Sequence, residues 1–413
     1  MLENILHRNN MNAAYLKVTK NKGSYGVDGV STSELKAQIS EEWDTIHDQL
    51  LKGTYQPSPV RRVEIPKPNG GKRKLGIPTV MDRTIQQALN LYLQSMYDPT
   101  FSTQSYGFRP GKRAHDAVRQ AKTYINEGYT WVVDIDLEKF FDRVNHDRLM
   151  RTLSFHIKDP RVLRLIRKYL QAGIMEGGLT TPNREGTPQG SPLSPLLSNI
   201  VLDELDKELE SRGIRFVRFA DDVQMYAGSK RAAERILKNM TRFLEKTLKL
   251  KVNREKSAAS RPWKRKFLGF SFTPSVKGKA RVRVHKDSVH KAKQRLRQLT
   301  SRKWSTDMKY RIEKINEFLT GWYNYFRLAE TPSIFKRMME WLRRRLRMIR
   351  WKEWKLPKTK VKNLIALGVT KAKAFEWGNT RKGYWRIASS PILHRTLNDH
   401  YWQRMGLKSL NAR

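Results

Sequence analysis

The sequence predicts a mixed fold, α/β or α+β through its middle, followed by a basic and largely helical final third. Three observations carry this. From Pro59 to about Phe272, short strand-like runs alternate with helical segments, as they do where helices cover a sheet. After about residue 280 the alternation gives way to apolar residues at helical spacing, interleaved with arginine. At 413 residues the chain is also too long for one ordinary core and reads as two to four packed subdomains.

Taken in order, residues 1–58 read as short helices joined by "NKGSYGVDGVS", where Gly23, Gly26 and Gly29 suit a loop. In "VRRVEIPKPNGGKRKLGIPT", Asn69-Gly70-Gly71 stands between two strand-like runs, which signals a hairpin. "DRTIQQALNLYLQSMY" follows as a helix. "YTWVVDIDLEKFFDRVNH" starts as a strand, with Val132, Asp134 and Asp136 on one face and Trp131, Val133 and Ile135 on the other. "VRFADDVQMY" sets Asp221 and Asp222 at a turn between two further strand-like runs. In "SIFKRMMEWLRRRLRMIRW", Phe335, Met338, Leu342, Leu346 and Ile349 form an apolar stripe, and Arg343, Arg344, Arg345, Arg347 and Arg350 fall mainly on other faces. The interleaved tryptophans and arginines favour nucleic-acid contact by this helix over a plain solvated face.

The 82 Lys and Arg against 39 Asp and Glu leave a formal net charge of +43, so a polyanion is the expected partner, nucleic acid ahead of a membrane surface. Residues 281–413 hold 34 Lys and Arg and 9 Asp and Glu, which puts 25 of those 43 charges there, with eight of the eleven tryptophans. No apolar run approaches the roughly 18 residues of a spanning helix, and "MLENILHRNN" lacks a signal-peptide pattern. A soluble, intracellular protein is the expectation. With no cysteine, disulfides, thiol chemistry and a zinc ribbon are excluded. The nine histidines are scattered, and His285 and His290, the nearest to ligand spacing, have no partner cluster. A catalytic metal would therefore be hard and oxygen-bound, which points to carboxylates and Mg²⁺.

An Asp-Asp pair in a tight turn is often turn chemistry and nothing more. Here a second carboxylate-bearing strand, with Asp134 and Asp136, precedes it by about one supersecondary unit. Two such strands side by side could hold paired Mg²⁺ ions on the attacking and leaving oxygens of an in-line displacement. Set in a basic groove, that is the requirement of phosphoryl transfer at a nucleic-acid end, where catalysis is mostly positioning and charge neutralisation.

The ordered motifs "SYGFRPGKRAHDA", "DIDLEKFFD", "GTPQGSPLSPLLSNI", "FADD", "NREKS" and "FLGF" resemble the group II intron reverse transcriptase/maturase family, over nearly the whole chain. The likeness is greatest to the compact bacterial class without an appended endonuclease. It implies an α+β right-hand polymerase fold, its fingers and palm built on antiparallel sheet, then an α-helical thumb and a basic C-terminal region. The implied divisions are an N-terminal extension at 1–58, fingers and palm at 59–278, thumb at 279–360 and a DNA-binding region at 361–413.

The resemblance also implies roles. Asp136, Asp221 and Asp222 match the metal-binding carboxylates for two Mg²⁺ ions; Asp136 is preferred to Asp134, its rival on the same strand face, because the family's ligand lies five residues before an aromatic gate at the sugar 2′ position, here Phe141. Asp142 is expected to be structural. Lys67 and Arg73 match cations on the incoming triphosphate, and Lys72 and Lys74 are left solvated. Gln189 and Gly190 match nucleotide contacts, with Gly190 letting backbone approach the base pair and Ser191 standing where many members have a second glycine. Arg109 is assigned to the nucleotide path, with a structural pairing as its alternative. Lys256 matches a lysine near the leaving pyrophosphate, or is a surface lysine. Leu268 and Gly269 match the primer grip. "GWYNYF" reads as helix packing in the thumb. The implied activity is RNA-templated DNA synthesis together with aid to intron splicing and mobility. Its partners would be the intron RNA, an RNA template/DNA primer duplex, deoxynucleoside triphosphates and target DNA, without a membrane, in the bacterial cytoplasm. The alternatives are a splicing-only maturase or a reverse transcriptase of another bacterial retroelement.

Overall fold

The computed structural model describes residues 1–66, 70–176, 179–181, 185–187, 190–274 and 279–410. It divides into two units, Met1–Arg261 and Pro262–Arg413.

The first unit opens with helices Leu2–Leu6, Arg8–Lys20 and Leu35–Lys52, and the glycine-bearing stretch between the last two is the expected loop. The hairpin follows as β1 (Val60–Pro66) and β2 (Lys72–Ile77), antiparallel in the register Glu64 opposite Lys74. Helix Val80–Tyr97 comes next; the Thr79 hydroxyl caps it by accepting from the Asp82 amide, and most of its residues are buried. Beyond helix Ala114–Asn126 lies β3 (Trp131–Ile135). Two short strands, β4 (Ile174–Glu176) and β5 (Leu179–Thr181), were not foreseen; β4 runs parallel to β1, which makes this sheet, ordered β2-β1-β4-β5, mixed and not purely antiparallel.

The second sheet is antiparallel throughout, with β6 (Arg215–Phe219), β7 (Asp222–Ala227), β3 and β8 (Ala258–Ser260) in the order β6-β7-β3-β8. Period-two alternation sends Val133, Ile135, Val223 and Met225 into the main core, where helices Ser194–Ser211 and Lys230–Arg242 contribute Leu197, Leu205, Ala233 and Met240. The opposite alternation places Val132, Asp134, Gln224 and Tyr226 together, since directly paired residues share a face. One sheet thus carries an apolar face and a face able to present polar groups.

The second unit holds a two-stranded ribbon, β9 (Phe270–Phe272) with β10 (Val282–Val284), and then helices Lys286–Leu299, Met308–Phe326 and Ser333–Glu353, with five shorter ones after them. Several arginines of Ser333–Glu353 are engaged within the protein. Arg343 pairs with Asp399 at 2.8 Å, and Arg345 donates to the Thr300 hydroxyl and carbonyl. Buried Arg347 donates to the Ala388 carbonyl, and Arg350 pairs with Glu353. Arg344 lies 4.0 Å above the Trp385 ring. Arg343, Arg344, Arg345 and Arg347 tie the helix to its neighbours, while the Arg350–Glu353 pair lies within it. Among the described residues no helix is long and apolar enough to cross a membrane.

Candidate active site

The β6–β7 hairpin closes through two residues, Ala220 and Asp221, with Phe219 opposite Asp222. Ala220 adopts φ +58°, a left-handed conformation costing a residue with a Cβ about 1–2 kcal/mol, so the turn must be held by its surroundings. On the neighbouring strand, Asp136 follows directly after β3; its amide donates to the Ser257 hydroxyl at 3.0 Å and its carbonyl accepts from the Asn253 amide at 2.8 Å. The loop 253–257 therefore fixes the backbone of Asp136 from the β8 side.

Asp136 and Asp221 line one cleft of about 480 Å³ together with Arg73, Phe141, Lys256 and Asn253. The Asp221 carboxyl is pushed above the usual carboxylate range, first by the protein packed around it and then by the negative charge of Asp136, with Arg73 drawing it back. The residue is exposed yet has protein packed around its carboxyl, so desolvation acts on an accessible group. Lys256 places its ammonium 3.7 Å from an Asp136 carboxylate oxygen. Asp221, whose ionisation the charge of Asp136 opposes, and Asp136 beside it are hard oxygen donors that fit a divalent cation, which relieves that repulsion.

Asp222, matched as a third ligand, does not line this cleft, and among the described residues no three His, Asp or Glu side chains converge on one metal position. Asp134 also lies off the cleft, at the buried Tyr226, whose phenol is pushed up by burial and then by the charge of Asp134. The same strand face hence divides: Asp134 serves the packed part and Asp136 the open end.

Phe141 is half-buried beside fully packed Phe140, their rings 5.3 Å apart, and it lines the cleft. Lys67 and Gln189 lie outside the described residues. Lys72 and Lys74, both read as solvated, line this cleft; Lys72 also pairs with Glu64 at 2.5 Å, and Lys74 borders an adjoining cleft of about 470 Å³ with Lys139, Arg62 and Arg143. Lys139 escaped the sequence reading; its signal was a lysine three residues after Asp136 in the same motif. Asp142 was expected to be structural, and its side chain also reaches the cleft wall.

One assignment changes. Arg109 is a structural residue: its guanidinium is almost wholly buried, on the Asp98 carboxylate at 2.7 Å and the carbonyls of Ser102, Ser105 and Asp98 at 2.5, 3.0 and 2.8 Å, leaving no donor for a nucleotide. Gly190, at φ +120°, is needed because a Cβ there would stand 2.8 Å from the Gly76 carbonyl oxygen of β2. Ser191 is buried, donating to the Gln86 side-chain carbonyl and accepting from the Leu193 amide, so it locks the start of helix Ser194–Ser211.

Leu268 and Gly269 belong to the second unit. They form a two-residue turn with φ +50° and +85°, closed by reciprocal bonds between Phe267 and Phe270 at 2.9 and 2.8 Å, the signature of a type I′ hairpin. The Tyr325 hydroxyl donates to the Leu268 carbonyl and the Ser288 hydroxyl to the Gly269 carbonyl, at 2.9 and 2.8 Å. Phe326 and Tyr325 pack on Phe270, and Trp322 on Phe335, so "GWYNYF" is helix packing as expected, with Tyr325 partly exposed.

Residues 65–272 match the family described as reverse transcriptase (RNA-dependent DNA polymerase), and residues 289–366 match the group II intron maturase-specific domain. Protein YkfC of Escherichia coli K12 is 37% identical over 276 residues, covering 57% of this chain and 72% of that protein. The group II intron-encoded protein LtrA of Lactococcus lactis subsp. cremoris is 39% identical over 206 residues, half of this chain but 34% of LtrA. An uncharacterised 91 kDa protein in the cob intron of Schizosaccharomyces pombe is 38% identical over 207 residues, half of this chain and a quarter of that protein. The family uses divalent metal, and the paired carboxylates of the cleft are suited to it. The chain thus belongs to the reverse transcriptase family, RNA-directed DNA polymerases, in its group II intron branch with a maturase domain.

Proposed function

We propose that the cleft between β2, β3 and the β6–β7 turn extends a DNA primer on an RNA template, and that the same chain binds the intron RNA that encodes it to assist splicing and mobility. The observation that carries the first half is the meeting of Asp136, Asp221, Arg73, Phe141 and Lys256 in one cleft. Asp136 and Asp221 would supply oxygen ligands to two Mg²⁺ ions; Asp222, the first residue of β7 and off the cleft, is a further donor only by the family's motif. Held by these carboxylates, the metal would supply charge neutralisation at the primer 3′-oxygen and the leaving pyrophosphate.

The remaining roles fall to side chains around the carboxylates. Arg73, with Lys67, holds the triphosphate through charge-assisted hydrogen bonds. Lys256 stands where its ammonium can meet the departing pyrophosphate. Phe141 fills the space that a 2′-hydroxyl would need. Gln189 and Gly190 border the nucleotide, while Leu268 and Gly269 offer backbone to the primer strand. In this reading 1–58 is an N-terminal extension, 59–278 fingers and palm, 279–360 thumb and 361–413 the region for target DNA. The bacterial cytoplasm, where an intron transcript would be met, is the compartment it calls for.

Primer extension on an RNA template with Mg²⁺ and deoxynucleotides tests the proposal, with lengthened primer expected. A protein that binds and helps splice its intron RNA yet never extends a primer would be a maturase alone. The presence of Asp136, Asp221 and Asp222 favours the enzyme, since a chain kept only for RNA binding has no need of them.

A further inference from the structure

We propose that Arg218, clamped beneath the β6–β7 turn by Asn199 and Asp206, is a positioning residue that fixes where the Asp221 carboxylate stands. This rests on Asp221 being a metal ligand.

The turn has two reasons to move. Ala220 is left-handed, and Asp221 faces the like charge of Asp136. Left to themselves, both would rotate the carboxylate away. Arg218 opposes that from below. It is fully buried; its Nε and Nη2 donate to the two Asp206 oxygens at 2.7 and 2.5 Å, and its Nη1 donates both to Asn199 Oδ1 at 2.9 Å and to the Ala220 carbonyl at 3.0 Å. The guanidinium is planar, so its bond to the turn cannot shift without loosening those to helix Ser194–Ser211.

The turn is also gripped from the side. The Arg218 amide donates to the Gln104 carbonyl at 2.9 Å, and the Tyr106 amide donates to the Arg218 carbonyl at 2.8 Å. Gly107 then passes so close that a Cβ on it would fall on the Ala220 amide nitrogen and 2.9 Å from the Phe219 carbonyl carbon. Asn199 joins the two grips, its Nδ2 donating to the Gly107 carbonyl at 2.9 Å while its Oδ1 accepts from Arg218. A buried ion pair is a poor device for stability alone, because apolar residues of similar volume do as well or better. What apolar residues could not supply is a directed hydrogen bond on the carbonyl immediately before Asp221.

The experiment uses the full chain with Asn199→Ala, which cuts the link between the two grips and leaves the Arg218–Asp206 pair intact. Single-nucleotide extension is followed against Mg²⁺ at saturating deoxynucleotide, beside the deoxynucleotide KM, the affinity for template–primer and the melting temperature. The expected split is a half-saturating Mg²⁺ concentration raised about tenfold and a maximal rate lowered about a hundredfold, with KM and duplex affinity within about twofold, the pattern of a misplaced but present ligand. Wild-type rate and Mg²⁺ requirement in a folded variant would overturn the proposal. So would a parallel fall of rate, KM and duplex affinity with the melting temperature, which marks general loss of structure. If Asn199→Ala does not fold, Arg218→Lys, which keeps the charge by Asp206 and loses the fork, is read by the same criteria. Asp221→Asn in the same assay separates the two levels: wild-type extension there removes the metal-ligand reading itself, whereas a dead Asp221→Asn beside an unaffected Asn199→Ala removes only the positioning role.

Discussion

Two tight turns in this molecule solve one local problem by opposite means. Ala220-Asp221 and Leu268-Gly269 are both two-residue hairpin loops whose first residue is a non-glycine in the left-handed region. The first is braced by a buried ionic and amide network, Arg218–Asp206–Asn199. The second is braced by rings, Phe270, Tyr325 and Phe326, with the Tyr325 and Ser288 hydroxyls on its carbonyls. The difference follows what each turn presents. Ala220-Asp221 presents a carboxylate whose direction matters, and directed hydrogen bonds fix direction. Leu268-Gly269 presents backbone, for which non-directional packing is enough.

The largest effect should separate the turns by chemistry. Asp221→Asn is expected to lower extension about a thousandfold or more, the scale of several kcal/mol of lost charge stabilisation, while template–primer affinity and folding stay near wild type. Asp136→Asn should match it and Asp134→Asn should be much milder, since Asp134 stands by Tyr226. Leu268→Ala should keep most activity. Extension assays that find Leu268→Ala as dead as Asp221→Asn would erase the contrast.

Next comes the polar brace. Asp206→Ala strands a fully buried guanidinium, and chemical denaturation should show a loss of about 3–5 kcal/mol in the first unit. A change under about 1 kcal/mol, the scale of one ordinary hydrogen bond, would mean that Arg218 finds water or another acceptor. The aromatic brace should give way less. In Gly269→Ala the new Cβ meets the Phe326 ring and the Ser288 hydroxyl at 3.2 and 3.3 Å with φ at +85°, so about 1–2 kcal/mol is expected, mostly as backbone strain.

How far the sequence could be read follows from the range of each interaction. Asn69-Gly70-Gly71 signals its hairpin because a turn is a local matter. Asp136 and Asp221, 85 positions apart, were paired by the motifs around them, and β3 and β7 bring them to one cleft. The residues that steady them were invisible. In "VRFADD" the alternation makes Arg218 look like an outward polar residue, and only Asp206 and Asn199, on a helix that lies behind the strand, show it to be buried. Gly107 looks like turn punctuation until Ala220, 113 positions on, is found against it. Arg109 misled for the same reason: its partner Asp98 is near in sequence, but the closing carbonyls depend on the fold of the loop between them. Motifs mark the groups that touch substrate; the groups that hold those in place act through contacts no local pattern encodes.

The smallest expected effect tests whether the second turn relies on directed bonds at all. Tyr325→Phe deletes the hydroxyl that donates to the Leu268 carbonyl and keeps the ring packed against Phe270 and edge-on to Phe326. Because Tyr325 is 37% exposed, water can replace the lost donor, so denaturation should register no more than about 0.5–1 kcal/mol. Extension should be nearly unchanged, since the rings still set the position of the backbone. Tyr325→Ala removes the packing as well and should cost clearly more than Tyr325→Phe in both assays. If the two substitutions proved equally damaging, the hydroxyl and not the ring would be holding the turn. Leu268-Gly269 would then be braced as Ala220-Asp221 is, by a directed bond to a carbonyl of the turn, and the distinction between presenting a charge and presenting backbone would have to be given up.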